Sequence, residues 1–456
     1  MAREPMMLAE RLVEIVGRRA EAAVTVTHSR QGLTRFANSF IHQNVVDEHT
    51  EIYLQLSVDG HPAAASTYRC DDDALVSLVD RTLAAAALRP ADPLWAGLAP
   101  PARLLSAPDV HFDAATARAG PAERAESVAA FVAAGGGLEG AGFCETSTSR
   151  RGFANSAGQR LESRDTSAAL DAIIRRPGSD GVASTYSCRF ADLDGAALGA
   201  HAAAQARRGA GPVELPAGRY EVVLEARCVA YLMDFFTLYG FNGRARSEGR
   251  SFVARGERQI DPALSISDDA TDPRQVGPVF DAEGTPKRRV PLVEAGIVTG
   301  VTHDRRSSAM AGDGATTTGH AVAGGESFGA LATATFIAPG AVGPVVGAVG
   351  PAASLVSEVE RGLLVCDFWY TRVLDPKTLV ATGLTRNGVF LIERGEIGPA
   401  VSNLRFTQSY VAALAPGQVL GVGDDGRLSP GGLHVSLHHA PSLHLASWNF
   451  TGNASA

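Results

Sequence analysis

Phe36-Ala37-Asn38-Ser39 recurs as Phe153-Ala154-Asn155-Ser156, at an offset of 117 residues. A second segment, Ala65 to Cys70 with the sequence ASTYRC, recurs 118 residues later as ASTYSC, Ala183 to Cys188. Alanine matches carry little weight in a chain this rich in alanine, but Phe, Asn, Tyr and Cys also match. Order and spacing are both kept, so we infer that the first half of the chain is an internal duplication.

The residues around these motifs predict the same unit in both copies: a helix, several strands and a closing helix. Apolar residues at helical spacing and end signals predict the helices over Met7–Arg19, Asp72–Ala86, Ala122–Ala134 and Asp192–Arg207. Glu51–Val58 alternates in the manner of a strand and runs into a turn at Asp59-Gly60. The repeats span about residues 5–87 and 121–207, and we expect two related halves that share an antiparallel or mixed sheet.

The composition of the sequence changes near residue 212. One helical stretch is predicted over Arg227–Tyr239, and strands and turns follow it. Strands are predicted over Arg289–Val293 and Ile297–Thr302 with a typical hairpin turn at Glu294-Ala295-Gly296 between them, and Arg394-Gly395 is a second such turn. We therefore expect an α+β protein with an amino-terminal α/β domain over 1–211 and a β-rich carboxy-terminal domain over 212–456.

Charge, hydropathy and cysteine content exclude several classes of function. The chain has 456 residues, a net charge of −8 and no run of Lys or Arg, so its field disfavours nucleic acid and anionic lipid. Phe336–Val356 is weakly polar, but Gly and Pro interrupt it, which predicts a loop and no membrane span. Acids and bases interleave through Met1–Ala23, which argues against a signal peptide. Five scattered cysteines are typical of reduced thiols, so we expect a cytoplasmic protein.

Several further motifs follow one another along the chain: Thr34–Ser39, Phe241-Asn242-Gly243, Phe280–Gly296, Thr382–Ile397 and Asn403–Ser409. In this order they closely resemble the TldD/PmbA family, known as modulators of DNA gyrase and as zinc peptidases. The resemblance implies a two-domain fold with a metallopeptidase-like carboxy-terminal domain. It also implies pairing, because the TldD member carries His-Glu-x-x-x-His and a downstream cysteine that bind zinc, whereas the PmbA (TldE) member pairs with it without those ligands.

In this chain the matching place holds Leu224-Glu225-Ala226-Arg227-Cys228-Val229. A hydrolytic zinc needs about three protein ligands, a bound water and a carboxylate that takes the proton of that water. Two histidines five residues apart would also need a widened helical turn to face one ion. Leu224 and Val229 cannot bind zinc, and Glu225 has no metal-bound water to activate. We therefore expect no catalytic residue and no metal in this chain, with Leu224, Glu225 and Val229 as vestigial zinc-site positions.

Two other groups of residues are candidates for a metal site or for binding a peptide. His434, His438, His439 and His444 lie close together in sequence, where zinc would find imidazoles but neither a carboxylate nor a thiol. Scattered strand histidines are the alternative interpretation. The stretch from His303 to His320 matches a family segment, so His303, Arg305 and His320 are predicted to line a peptide groove, although a solvated loop explains them equally well.

The sequence thus predicts a TldE/PmbA-like subunit of a heterodimeric zinc peptidase that acts on unfolded or ribosomally made peptides. A TldD-like partner would supply the zinc, and this chain would shape the cleft. One alternative is a stand-alone homodimeric peptidase with a rearranged site that uses Glu225, Cys228, His438, His439 or His444. The other is a non-enzymatic module that binds a peptide or a protein. Neither heptads nor an apolar patch marks an interface in the sequence.

Overall fold

The computed structural model describes residues 4–339, 352–433 and 436–454. The first half contains two similar series of elements. The first series is α1 (Pro5–Val16), β1 (Glu21–Ala37), β2 (Phe40–Val58), β3 (His61–Thr67) and α2 (Asp72–Ala87). After a connection that includes α3 (Ala114–Arg118), the second series is α4 (Pro121–Ala134), β4 (Glu139–Asn155), β5 (Arg160–Arg176), β6 (Ser179–Ser187) and α5 (Gly195–Arg208). The helix, strands and helix unit is therefore present twice, as the repeated motifs predict.

The six strands form one sheet in the order β3-β2-β1-β4-β5-β6, and every neighbouring pair is antiparallel. The two copies meet in the middle, where β1 pairs with β4 and Ala23 faces Asn155. The repeated Phe-Ala-Asn-Ser motif begins at the end of β1 in one copy and of β4 in the other, where each chain turns into the next strand. This arrangement joins the repeats through one sheet that neither could form alone.

Alternating residues give the sheet two different faces. The helices of each copy cover one face and bury apolar side chains such as Val24, Leu54 and Leu170. Local signals fix these helices: the carboxylate of Asp71 accepts a hydrogen bond from the Ala74 N–H at 3.0 Å and so caps α2. Pro121 occupies the first turn of α4, where no intrahelical donor is lost. The other face of the sheet looks toward the second half of the chain.

The second half holds five short helices and thirteen strands within the described residues. They are β7 (Gly218–Leu224), α6 (Ala226–Phe235), α7 (Gly243–Ser247), β8 (Leu264–Asp268), β9 (Val290–Glu294), β10 (Ile297–Val298), α8 (Arg305–Ala311), β11 (Thr335–Pro339), α9 (Ala352–Ser357), β12 (Arg361–Asp375), β13 (Val380–Glu393), β14 (Glu396–Ala400), β15 (Leu404–Ser409), α10 (Tyr410–Ala413), β16 (Val419–Val422), β17 (Arg427–Pro430), β18 (Leu437–Ala440) and β19 (Leu443–Asn453). Strand content far exceeds helix content here, so the predicted β-rich second half is confirmed.

These strands form two sheets. One has the order β10-β9-β8-β11-β18-β17, and the other has the order β12-β7-β19-β15-β13-β14 with β16 paired to β19. Because β12 also pairs with β13, the strands β12, β7, β19, β15 and β13 close into a ring. Phe368 and Trp448 stack inside the aromatic cluster of this half, with ring centroids 5.4 Å apart.

Helix α6 lies against both sheets and is buried along nearly its whole length. It contacts β7 and β12 of one sheet and β17 and β18 of the other. Its residues belong to the largest apolar core of the molecule, together with Phe368 and Trp448. The helix that begins at the position matching the zinc motif thus lies at the centre of the second half.

Some predicted boundaries differ from the observed ones. The first helix runs over Pro5–Val16 rather than Met7–Arg19, because Gly17, with φ 57°, ends it. The strand expected to reach Thr302 ends at Val298, since the N–H groups of Thr299 and Gly300 both point to the Leu292 carbonyl. Phe336–Val356 was predicted to be a loop, but its first residues belong to β11 and its last to α9, and residues 340–351 lie outside the described residues. The domain boundary near residue 212 stays a prediction. Among the described residues, the helices are too short or too polar to cross a bilayer.

Candidate functional site

The segment Leu224–Val229 lies at the junction of β7 and α6. Leu224 ends the strand, Glu225 follows in an extended conformation with ψ 158°, and Val229 lies in the first turns of the helix. The side chains of Leu224 and Val229 are fully buried. The two outer positions therefore belong to different elements and do not share a helix face.

A widened turn of the type that a closely spaced histidine pair would need is present nearby. It is a π-helical turn over Phe236–Gly240, directly after α6. Asp234 precedes it and is fully buried, and its carboxylate accepts a hydrogen bond from the Leu433 N–H at 2.7 Å. The Nε2 atom of His438 lies 2.9 Å from the other oxygen of Asp234.

Glu225 is nearly buried, and its neighbours are mostly neutral. The side-chain amide of Gln205 donates to its Oε1 at 3.4 Å, and the partly exposed Arg427 lies 3.9 Å from Oε2. Burial, followed by the charge of Glu225, raises the pKa of Cys366 well above its ordinary value. Burial likewise raises the pKa of Cys228. Both thiols are therefore protonated at neutral pH, which makes them poor metal ligands and poor nucleophiles.

Arg227 ties the two halves of the chain together at this junction. Its guanidinium donates to Asp171 of β5 at 3.1 Å and to Asp367 of β12 at 3.0 Å. Burial opposes the charge of Arg227, but the two carboxylates outweigh it and raise the pKa of Arg227. The Tyr186 hydroxyl donates to the same Asp171 at 2.8 Å, and the Asn387 amide donates to Asp367 at 2.9 Å. The carboxylates are thus held by fixed donors on both sides of the interface.

The carboxy-terminal histidines have partners already. His438 is fully buried between Asp234 and the hydroxyl of Thr335, which contact its two ring nitrogens. The Nε2 atom of His444 lies 2.7 Å from Glu221 Oε1. His439 stacks on Phe336, and burial and Arg274 lower its pKa. His434 lies outside the described residues.

The structure separates the three residues predicted to line a groove. His303 is nearly buried beside Ser307, and burial lowers its pKa. It borders a small cavity of about 340 Å³. Arg305 points elsewhere and donates to the carbonyls of Ala96 and Gly97 at 2.9 Å each.

His320, the third of them, is almost fully buried. Its Nε2 atom lies 2.8 Å from Asp268 Oδ1, and its Nδ1 atom lies 2.9 Å from Thr318 Oγ1. Burial alone would raise the pKa of Asp268, but His320 and Lys287 outweigh it and lower the pKa. The groove-lining role of His303, Arg305 and His320 stays a prediction, and His320 has no free ring nitrogen with which to take part in it.

A cleft that the sequence did not indicate lies between the uncovered face of the first sheet and the loops of the second half. Its volume is about 620 Å³. Strand pairing places Glu51, Thr27 and Arg151 in one row across β2, β1 and β4, and Tyr53 in the next row. The opposite wall includes residues 276–282 and the side chain of Lys287. The alternation of polar and apolar residues along β1 is the one signal that could have predicted a polar face here.

A second cavity adjoins this cleft at Tyr53, which lines both. Glu283 and Asp304 border it, and Glu283 accepts a hydrogen bond from the Arg305 N–H at 3.0 Å. Burial, together with the charges of Asp281 and Asp304, raises the pKa of Glu283 well above its ordinary value. Within the described residues, His, Cys, Asp and Glu side chains nowhere form a group of three that could hold a metal ion.

Comparison with known proteins identifies the family. The family model described as the PmbA/TldA metallopeptidase C-terminal domain matches residues 217–452, more than half of the chain. None of the curated proteins compared with the chain matches it.

Solved structures agree in fold over nearly the whole length. TldE from Thermococcus kodakarensis is 17% identical with a TM-score of 0.83, over 98% of this chain and 99% of that one. A protein described as a candidate modulator of a DNA gyrase from Thermotoga maritima is 16% identical with a TM-score of 0.81, over 98% and 99%. A similar candidate from Bacteroides thetaiotaomicron is 20% identical with a TM-score of 0.82, over 98% of each chain. At these identities the likeness establishes the fold, and with the family match the conclusion is that this chain belongs to the TldD/PmbA family.

Proposed function

We propose that this chain is a TldE/PmbA-like, non-catalytic subunit of a two-chain zinc peptidase that cleaves unfolded or ribosomally made peptides in the cytoplasm. In this assembly a TldD-like partner binds the zinc and carries out the cleavage. The observation that carries the proposal is the set of buried apolar side chains where the zinc ligands of a peptidase would have to lie. Zinc requires imidazole, thiolate or carboxylate donors, so the residues present do not fit the ion.

Both possible placements of the ligand pattern support this conclusion. The placement from sequence puts the outer ligand positions at Leu224 and Val229, and both side chains are buried and apolar. The widened turn at Phe236–Gly240 favours a second placement, in which Met233 and Leu238 take the histidine positions and Asp234 takes that of the glutamate. Each placement keeps one carboxylate and replaces both histidines with apolar residues.

The hydrogen bonds of the remaining candidates weigh against the stand-alone peptidase. Both ring nitrogens of His438 have partners, and the Asp234 carboxylate also accepts from the Leu433 N–H and the Ser436 hydroxyl. Cys228 is a buried neutral thiol. A metal ligand needs an unshared lone pair directed at the ion, which His438 lacks, and Cys228 keeps its proton and donates it to the Val365 carbonyl at 3.4 Å.

We test this proposal by metal analysis of the purified full-length chain, alone and after mixing with a TldD-like protein. We expect less than about one zinc per ten chains for this chain alone, and peptide hydrolysis only in the mixture. A Leu238→His, Met233→His variant is a useful companion, because gain of zinc binding would support the placement on the widened turn. Stoichiometric zinc together with peptidase activity in the chain alone would overturn the proposal.

A further inference from the structure

The cleft of about 620 Å³ contains two cationic groups that lack a carboxylate partner. Lys287 is 6% exposed, and its ammonium donates to a single described acceptor, Thr333 Oγ1, at 2.9 Å. Arg151 donates through Nε to Thr27 Oγ1 at 3.2 Å, while its buried Nη1 has no hydrogen-bond partner. Within the described residues, neither side chain has a carboxylate oxygen within 4 Å, although ion pairs of that length are frequent elsewhere in the chain.

Within the described residues, the acidic groups near the cleft form no ion pair with either cation within 4 Å, although Asp165 Oδ1 has no hydrogen-bond partner of its own. The carboxylate of Asp281 accepts three backbone N–H groups, those of Glu283, Thr285 and Ala321. Asp165 is close enough to Arg151 to stabilise its charge but forms no ion pair with it within 4 Å. Glu51 stands two strands away from Arg151 in the same row, which is roughly 10 Å. Lys287 and Arg151 therefore both keep N–H groups without an acceptor among the described residues.

Such an arrangement is costly unless a ligand completes it. A cation that is withdrawn from water without an opposite charge beside it destabilises the folded state, because nothing offsets its desolvation. A guanidinium on the sheet face and an ammonium on the opposite wall of the same cleft match the two oxygens of a carboxylate, which accepts charge-assisted hydrogen bonds from both. Because little of Lys287 is exposed, burial lowers its pKa.

The surroundings of the two cations suit a peptide rather than a small inorganic anion. Hydroxyl groups of Thr25 and Tyr53 and the ring of Phe280 line the same cleft and offer hydrogen bonds and an apolar surface to a chain. The volume lies in the range of ordinary ligand pockets. The adjoining cavity beyond Tyr53 measures only about 80 Å³, which is room for one small side chain and not for a continuing chain.

We propose that this cleft binds the C-terminal carboxylate of a peptide, with Arg151 and Lys287 as the groups that hold its two oxygens. The proposal rests on the proposed function for the identity of the ligand as a peptide, and it adds a preference for a free C-terminus. Lys287 and Arg151 come from different halves of the chain, so the site exists only when the two halves are packed together. The acidic residues of the second cavity and the metal-site positions play no part in it.

The test compares three fluorescein-labelled hexapeptides on the purified full-length chain by fluorescence anisotropy. They are Ala-Ala-Gly-Ala-Ala-Leu with a free carboxylate, the same peptide as its C-terminal amide, and the amide with Glu in place of the fifth residue. We expect the free acid to bind at least 10-fold more tightly than either amide. Equal affinity of acid and amide would overturn the proposal, and equal affinity of the acid and the Glu-containing amide would overturn the C-terminal assignment in favour of a side-chain carboxylate.

Variants locate the binding to the cleft. Arg151→Gln and Lys287→Gln should each weaken the free acid about 10-fold and leave the amide unchanged. Arg150→Gln is the matched control, because Arg150 is the next residue of β4, is exposed, and pairs with Glu4 at 3.6 Å. Arg150→Gln should have no effect on binding. Unchanged binding of the acid by both Arg151→Gln and Lys287→Gln would refute the site.

Thermal unfolding shows whether a variant that binds the peptide less tightly is still folded. Arg151→Gln removes a cation whose Nη1 has no hydrogen-bond partner, but it also removes the charge that stabilises Asp165, so its melting temperature does not decide the proposal. Its affinity is compared only if it unfolds in a cooperative transition like that of the wild type. This binding assay needs neither zinc nor the partner, so a negative result would not affect the conclusion drawn from the metal analysis. Conversely, a chain that binds zinc and cleaves peptides alone would refute the subunit role but would not decide whether the acid binds more tightly than the amide.

Discussion

Replacement of Arg227 by methionine tests whether the junction of the two halves depends on a buried ion-pair network. The substitution keeps most of the side-chain volume and removes the charge between Asp171 and Asp367. These carboxylates are 16% and 3% exposed, and Arg227 itself is 14% exposed, so water replaces the lost contacts poorly. Removal of one partner from a buried pair costs about 3 to 5 kcal/mol. We expect Arg227→Met to lower the free energy of unfolding by that amount at pH 7.

The loss of unfolding free energy in Arg227→Met should depend on pH. Burial raises the pKa of Asp367 already, and Arg227 acts in the opposite direction. Without Arg227 the pKa of Asp367 rises further in the folded state, so the folded chain binds a proton more readily than the unfolded chain does. A raised carboxyl pKa penalises stability above that pKa and not below it. The destabilisation should therefore shrink as the pH falls from 7 toward 5.

The assay is urea unfolding followed by tryptophan fluorescence and circular dichroism at both pH values. Arg11→Met is the control, because Arg11 forms an exposed pair with Glu14 at 3.3 Å and should cost less than about 0.5 kcal/mol. A second variant, Arg227→Met with Asp367→Asn, should recover part of the loss, since the unpaired charge is gone. A cost below about 1 kcal/mol, or one that is equal at pH 5 and pH 7, would refute the account of the network.

Three further outcomes follow from other positions. In Gly181→Ala the new Cβ would lie 1.9 Å from the Ala202 carbonyl oxygen, so strand β6 and helix α5 must separate. Calorimetry should show that the free energy of unfolding falls by about 1 to 3 kcal/mol, and an unchanged melting temperature would contradict this. Burial and Arg274 lower the pKa of His439, so protonation of His439 destabilises the folded chain as the pH falls below the ordinary histidine pKa near 6.5. His439→Gln should therefore lose less stability in acid than the wild type. An identical dependence of stability on pH would contradict this role of His439. Trp448 is fully buried among aromatic rings, and Trp448→Ala should cost about 3 to 5 kcal/mol in denaturant unfolding; a loss below 1 kcal/mol would mean that the cluster repacks.

The sequence predicted the duplicated half well because its signals are local and occur twice. The helix starts depend on neighbours such as Asp71 and Pro121, and the strands on alternation. The turn at Arg394-Gly395 was equally predictable, since both residues adopt positive φ, 53° and 76°, as a tight hairpin requires. What the sequence could not give is the pairing of β1 with β4, because it joins residues more than a hundred positions apart.

The candidate site was harder to predict for the same reason. The polar groups of the cleft, Arg151 and Lys287, are far apart in sequence and meet only through tertiary packing. The position of the widened turn was also not readable, because the apolar run through Phe235 and Phe236 fits an ordinary helix equally well. Conversely, His303 and His320 are close in sequence but serve different local networks.

An exposed segment of β2 also differs from what the sequence predicts. Val45 and Val46 are both exposed, because β3 pairs only with the later part of β2 and no helix covers this end. The sequence shows no apolar patch here, since adjacent residues on a strand normally point to opposite sides and one of them is expected to be buried.

The position of β19 bears on how the chain is made. This strand lies between β7 and β15, so a sheet that begins at residue 218 lacks a central member until residues 443–453 have been synthesised. The first sheet can close once residue 187 has left the ribosome, whereas the second half must wait with its apolar segments exposed. Domains generally fold as they emerge, and such waiting segments favour aggregation. Translation that stops short of β19 should therefore yield a folded amino-terminal half joined to a tail that chaperones and proteases recognise.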